Sequence, residues 1–322
     1  MTPSCTVVIR AYNEENHIGR LLNGIFQQTV RDVEVIVVDS GSMDGTVSIA
    51  REYPVRVLTI SPDEFTFGRS LNVGCRQASA DAIVIASAHV YPVYPDWLEH
   101  LLRPLADPQV ALTYGKQRGT ADTHFSEAQH FMKLYPEEAN PDQNSPFCNN
   151  ANAAIRRNLW QARPYDEKLP GLEDLEWAMW ARSHGYRLAY SAEAEVVHVH
   201  EETPKQVFNR YRREAIALKR LRAQEHFGLS DFLRLFASNV GSDARHALGD
   251  RAPLLAWPEI FWFRFAQFWG TYRGFVHRGP LSDELKRAFY YPRGVEAAVE
   301  GHDRAVEPID YAGEASEGRQ LD

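Results

Sequence analysis

Cysteine is scarce in this 322-residue chain: Cys5, Cys75 and Cys148 are odd in number, far apart and without the spacing of a zinc site. That excludes a disulfide framework and fits a reducing compartment. Long apolar runs are lacking too. No uninterrupted stretch approaches the roughly 18 to 20 residues needed to span a bilayer. The opening residues pass into a strand-like run without the basic region, apolar stretch and cleavage site of a signal peptide. The expected location is cytoplasmic, with peripheral contact at the inner face of a membrane left open. Excess positive charge is also missing. With 35 basic and 43 acidic residues the net charge is −8, so the chain is not built to coat nucleic acid. Residues 10–15, which follow the first strand-like run, contain no glycine. This removes the Gly-x-Gly-x-x-Gly turn expected of a dinucleotide-dependent oxidoreductase.

What is present is a globular composition, 44% hydrophobic and 24% charged, with length for one large domain and an appendage. Residues 6–9 and 33–38 are short β-branched runs of the buried-strand type, and 16–28 between them have helical spacing. Helices are predicted at 45–53, 68–78 and 97–105, and strands at 55–60, 82–87 and 110–115. Such alternation predicts an α/β fold, a mostly parallel central sheet flanked by helices. An irregular segment at 136–146, an extended one at 147–155, a helix at 175–184, one or two strands at 188–199 and a basic helix at 203–224 follow. The alternation stops near residue 225. We expect a catalytic domain over 1–225 and a helical extension over 226–322, whose last 15 or so polar residues are flexible.

Two loops stand where an open parallel sheet binds ligands, beyond the carboxyl ends of its strands. The first is Arg10-Ala11-Tyr12-Asn13-Glu14-Glu15 and the second Asp39-Ser40-Gly41-Ser42-Met43-Asp44-Gly45-Thr46. An aspartate there can accept from a base N–H or from ribose hydroxyls. Asp44 and Thr46 can equally cap a helix. Farther on, Leu169 to Trp177 contain the adjacent acids Glu173 and Asp174 at a loop-to-helix junction. One can take a proton while its neighbour orients a substrate or shifts the pKa. The simpler role for such acids is to favour a helix N-terminus. In His198-Val199-His200, residues two apart on a strand share a face, so both imidazoles can point into one space. Imidazole pairs suit Mn, Zn or Fe better than Mg.

Taken together, Ala-Tyr-Asn-Glu-Glu and, about 25 residues later, Val-Val-Asp-Ser-Gly-Ser-x-Asp-Gly-Thr resemble the nucleotide-binding start of family-two glycosyltransferases. The segment from Phe67 to Gly74 resembles the Gly-x-x-x-Asn-x-Gly stretch of rhamnosyltransferase-like members. The resemblance covers about residues 4 to 225 and implies a GT-A fold. It also implies an inverting transferase that moves a sugar from a UDP-, dTDP- or GDP-linked donor to a glycan or lipid-linked acceptor. Under it Asp39 contacts the base, with Ala11, Tyr12, Asn13, Glu14, Ser42 and Asp44 nearby and Arg69 and Asn72 continuing the nucleotide side. Asp174 is the base that deprotonates the acceptor hydroxyl, with Glu173 as the alternative. Gly171, Leu172 and Trp177 border the acceptor, and the Asn-rich segment before residue 155 lines the sugar pocket through Asn150 or Asn152. Gln117 and Arg118 can reach the same cleft.

The family's usual Asp-x-Asp, which holds Mn2+ or Mg2+ against the diphosphate, is replaced by Ser87-Ala88-His89. Three outcomes stand. His89 ligates the ion, as the His of an Asp-x-His motif does in the similar polypeptide N-acetylgalactosaminyltransferases, with His198 completing the site. Alternatively, Ser87 and His89, helped by Arg or Lys, meet the diphosphate directly. Finally, the chain is a sugar-nucleotide-binding or assembly module that has lost the chemistry. Lys205, Arg210, Arg212, Arg213, Lys219, Arg220 and Arg222 give the helix at 203–224 a basic face, either solvated or turned to diphosphate or anionic lipid. The aromatic stretch 257–273 can lie on a bilayer, or pack on the catalytic domain or on a second copy of the chain in a homodimer.

Overall fold

The computed structural model describes residues 4–200, 202–249, 256–275 and 306–311. Along the chain run β1 (Cys5–Ala11), α1 (Ile18–Phe26), β2 (Val33–Asp39), α2 (Thr46–Ala50), β3 (Arg56–Thr59), α3 (Phe67–Gln77), β4 (Ala82–Ser87), β5 (Val90–Pro92) and α4 (Trp97–Leu102). They are followed by β6 (Val110–Arg118), α5 (Phe125–Leu134), β7 (Asn152–Arg156), α6 (Arg157–Ala162), α7 (Glu173–Ser183), β8 (Arg187–His198), α8 (Pro204–Leu221), α9 (Leu229–Gly249) and α10 (Ala256–Phe275).

The eight strands form one sheet in the order β3-β2-β1-β4-β7-β6-β8-β5. Strands β3, β2, β1 and β4 are mutually parallel, as the βαβ rhythm of the sequence predicts. Beyond β4 the sheet is more mixed than expected. β7 runs against both β4 and β6, and β5 runs against β8. Alternation along β1, β2 and β4 explains why these strands read as apolar throughout. Val8, Ile36, Val38, Ile83 and Ile85 face one core with Leu71 and Trp177. Val7, Ile9, Val35, Val37 and Val84 face the other with Ile18, Leu22 and Trp97. Both faces are covered by helices, so neither set alternates with polar residues.

A third apolar cluster joins α8, α9 and α10 through Val207, Tyr211, Leu218, Phe227, Phe263 and Phe268. The α8/α10 crossing is close because glycine leaves room. A Cβ on Gly270 would sit 2.5 Å from the Phe208 carbonyl oxygen, and one on Gly274 2.7 Å from that of Arg212. The basic helix is thereby fastened to the C-terminal helices while its other side reaches the carboxyl end of the sheet. The aromatic stretch is α10 itself: Phe263 and Phe268 are buried, whereas Trp257, Phe261 and Phe265 are exposed. Among the described residues no helix is long and apolar enough to cross a membrane.

Helices α5 and α6 form where no helix was predicted, while the segment expected to be irregular at 136–146 is so. Residues 308–311, expected to be flexible, are docked. Ile309 donates its backbone N–H to the Val93 carbonyl at 2.9 Å, and the Tyr311 hydroxyl donates to that of Pro92 at 2.6 Å. The rest of the expected flexible tail, 312–322, and residues 276–305 of the helical extension lie outside the described residues.

Candidate active site

The loops after β1 and β2 are bonded to each other. Asn13 takes a left-handed backbone, φ 53°, in which its N–H donates to Ser42 Oγ at 2.8 Å while its side-chain oxygen accepts the N–H of Met43 at 2.9 Å. Glu14 N–H donates to Thr46 Oγ1, Glu15 N–H to Asp44, and Gly45 N–H back to Glu15. Asp39 is buried at the end of β2 and accepts the N–H groups of Gly41 and Ser42. The turn needs φ +86° at Gly41, where a side chain would also meet Pro62. Ala11 is buried beneath, and Tyr12 is exposed.

Beside these loops lies a cavity of about 810 Å³ whose walls include Asn13, Glu14, Ser87, His89, Glu173 and Asp174. Asn150, Gly171, Leu172, His198, His200 and Arg213 also contribute. Leu172 holds α7's N-terminal boundary in the left-handed region, φ 59°, which sets the two acids at the helix start. Asp174 Oδ1 accepts its neighbour Leu175's N–H at 2.8 Å, and Oδ2 that of Asn150 at 3.2 Å. Burial and the Glu173 charge nevertheless push Asp174 up to about 7, against these two N–H groups and Arg10. Glu173 accepts from Arg10 at 3.5 Å and from the Asn150 amide at 3.4 Å. Arg10 and Arg213 both lie over the Phe67 ring, 4.9 and 4.5 Å from its centroid.

Three imidazoles occupy the wall formed by the ends of β4 and β8. His89 and His198 stack with centroids 5.0 Å apart, and His200 lies 4.0 Å from His198 and 5.8 Å from His89. Their Nδ1 atoms approach Glu14 at 2.7 Å, Gln117 at 2.7 Å and Glu127 at 2.8 Å respectively. Burial, then the neighbouring His200 and His89, holds His198 well below the ordinary histidine pKa, so its ring is neutral. Burial pushes the Glu127 carboxyl up, but Arg210 and His200 outweigh it and keep the group ionised, well below the usual carboxylate range. These residues fit a cation. The potential ligand nitrogens lie within 4.8 Å of one another, and His198 Nε2 is buried with no hydrogen-bond partner among the described residues.

Several expected site residues lie outside the cavity walls. Asn72 is buried as a strut. It donates to the Tyr165 carbonyl and Glu167, and accepts from the Trp160 indole and the Tyr165 N–H, which uses the whole side chain. Asn152 is likewise spent, accepting from the Trp97 indole and donating to the Lys116 and Ala194 carbonyls, so of the two asparagines only Asn150 faces the cavity. Trp177 is core and donates to the Arg163 carbonyl. Arg69 pairs with Glu64 and Glu167 outside the cavity. Asp39, Ser42 and Asp44 belong to the bonded loops next to the cavity rather than to its walls. Arg10, Phe67 and Glu127 were not anticipated as site residues. Arg10 at a strand end was the one legible hint, whereas Glu127 sits on the unpredicted α5.

A flanked sheet of this order, with two bonded loops beyond its parallel strands, is the GT-A fold, and its cleft carries an acid pair opposite a cation-type cluster. Residues 6–162 match the family model described as Glycosyl transferase family 2. The chain is similar to the O-antigen chain rhamnosyltransferase WbaN of Salmonella anatum, 29% identical over 221 residues that cover 65% of this chain and 70% of that protein. It is also similar to the O-antigen chain rhamnosyltransferase RfbN of Salmonella typhimurium, 28% identical over 218 residues, 64% of this chain and 69% of that one. Among solved structures, the mannosyltransferase PcManGT from Pyrobaculum calidifontis, in complex with GDP-Man and Mn2+, shares the fold. The TM-score is 0.57 at 20% identity, covering 83% of this chain and 85% of that one.

Proposed function

We propose that this chain is an inverting hexosyltransferase that moves a sugar from a UDP-, dTDP- or GDP-linked donor to a hydroxyl of a glycan or lipid-linked acceptor. The product would enter a cell-surface polysaccharide or glycolipid, a role suggested by the O-antigen relatives. One observation carries the reading: Asp174 and His89 line the same cavity, beside the loops that carry Asp39 and Asp44.

In this reading the Asp39 carboxylate, with lone pairs left beyond the Gly41 and Ser42 N–H bonds, receives the base or ribose. Asp174 takes the acceptor hydroxyl's proton while that oxygen bonds to the anomeric carbon. The bond to the diphosphate breaks on the opposite face, and its electron pair leaves with the phosphate. An acid held near 7 is ionised in a useful fraction at neutral pH and still basic enough to accept the proton. His89 and His198 would hold a divalent ion such as Mn2+, which when bound supplies Lewis-acid stabilisation of the leaving diphosphate. Arg10 and Arg213 add fixed positive charge to the same cavity. A lipid-linked acceptor would bring the chain to the inner face of a membrane, where exposed Trp257, Phe261 and Phe265 suit the interface.

The replacement of the two acids of Asp-x-Asp in Ser87-Ala88-His89 favours a second reading, a sugar-nucleotide-binding module without turnover. Screening nucleoside diphosphate sugars by thermal shift identifies the donor, because a ligand of the folded form raises the melting temperature. Proton NMR of the product then tests the chemistry. The anomeric configuration should be opposite to the donor's; retention would contradict inversion. Absence of both transfer and nucleoside diphosphate release, with Mn2+ and with EDTA, would favour the binding module.

A further inference from the structure

We infer that His89, His198 and His200 form one three-nitrogen face that binds a borderline first-row ion, Mn2+, Fe2+, Co2+ or Zn2+, and discriminates against Mg2+. The inference deepens the proposed function and rests on it for what the ion does, though not for whether the ion binds.

The backbone itself assembles the face. β5 pairs against β8 with Val90 opposite His198, and the Val199 N–H donates to the His89 carbonyl at 3.0 Å. His89 is thus fixed one residue from that pairing, and the i, i+2 spacing turns His198 and His200 to the same side. The potential ligand atoms of the three residues lie within 4.8 Å of one another.

Hydrogen bonding then decides which nitrogens are available. A carboxylate oxygen serves as acceptor, so the His89 and His200 nitrogens facing Glu14 and Glu127 are the donors. The side-chain oxygen of Gln117 does the same for His198. Each ring is therefore held in the tautomer that leaves Nε2 with its lone pair. Rings that bind metals are oriented in this way by an acceptor on the opposite nitrogen. At His89 that lone pair meets the Ser87 hydroxyl at 3.1 Å, and at His198 it meets no hydrogen-bond partner among the described residues. A buried nitrogen left unpaired is costly, and a bound cation would satisfy it.

The donor set also decides which cation. Mg2+ takes oxygen ligands and retains water, whereas imidazole suits the later first-row ions. The nearby carboxylates are engaged elsewhere. Glu14 holds His89, Glu127 holds His200 and Arg210, and Glu202 pairs with Arg210 at 2.6 Å. In the neighbouring group of Glu127, His200 and Glu202, both acids pair with the one Arg210 guanidinium.

The test uses the full chain, stripped with EDTA and titrated with Co2+ while the visible absorption is followed. The expected result is one equivalent bound, displaced by Zn2+ and undisturbed by a hundredfold excess of Mg2+. His200→Ala should weaken Co2+ at least tenfold, and Glu127→Gln, which alters the partner behind the ring, by about 10-fold or more. X-ray absorption of the zinc-loaded wild-type chain counts imidazoles without any variant, so a misfolded mutant leaves the inference testable. Three imidazoles are expected. Displacement by Mg2+, or an oxygen-dominated shell with one imidazole or none, would overturn it. Transfer assayed in parallel separates the two readings: tight binding without turnover defeats the proposed function alone, while turnover without this binding defeats the three-imidazole site alone.

Discussion

Asn150 donates its backbone N–H to Asp174 Oδ2 at 3.2 Å, so the turn ahead of β7 holds the carboxylate that the first turn of α7 presents. This bond and the Leu175 N–H favour the ionised form, while burial and the Glu173 charge oppose it and leave the group near 7.

Transfer should therefore fall as pH drops through about 7, because the base is protonated below that value. Glu173→Gln removes the like charge, which is the second cause of the upward shift, so the acid limb of the pH-rate profile should move to lower pH. Profiles of kcat for the two proteins check this. A limb that stays in place or moves upward would contradict the assignment.

Glu127 is ionised, buried and shared by Arg210 and His200. Its folded pKa is depressed, so the stability it contributes is complete above its ordinary value of 4.5 and is lost as pH falls below that. Glu127→Gln should cost about 2 kcal/mol at neutral pH, because the buried Arg210 loses one of its two carboxylate partners and keeps only Glu202. The gap to wild type should narrow in acid, as thermal melts from pH 7 to pH 3 would report.

Asn72 is a strut rather than a ligand contact. Asn72→Ala strands the Trp160 and Tyr165 partners and should cost about 2 kcal/mol by urea unfolding. Donor KM should remain within about twofold, since differences below roughly 0.4 kcal/mol are that small. A large KM increase with unchanged stability would return Asn72 to the nucleotide site.

Arg264 and Asp243 form a fully buried pair at 2.7 Å that ties α10 to α9, and the Arg264 guanidinium also donates to the Ser126 carbonyl on α5. Arg264→Met should cost about 3–5 kcal/mol because Asp243 is left alone. Adding Asp243→Leu should restore much of that loss, because a matched apolar pair carries no stranded charge. Chemical denaturation of both variants checks the prediction.

The parallel half of the fold was legible because β1, β2 and β4 are buried on both faces and carry continuous apolar runs. The two loops, His89, His198 and the Glu173-Asp174 pair were legible because they sit at strand or helix ends, where polar residues break an apolar pattern. β7 and α5 were not. Whether a strand enters parallel or antiparallel depends on neighbours distant in sequence. α5 buries Ser126, Glu127 and Gln129, polar residues whose partners lie on β8, α8 and the C-terminal helices rather than in its own periodicity. The same distance hid the roles of Asn152, Trp177 and Asn72, each satisfied by chain that no local pattern announces.

The most direct measurement is sugar transfer by Asp174→Asn alongside its affinity for the nucleoside diphosphate. The variant keeps the side chain's size and removes the proton acceptor, so turnover should fall at least about 100-fold, the lower range for loss of a general base, with affinity unchanged within a few-fold. Turnover close to wild type, with the nucleotide still bound, would contradict the account.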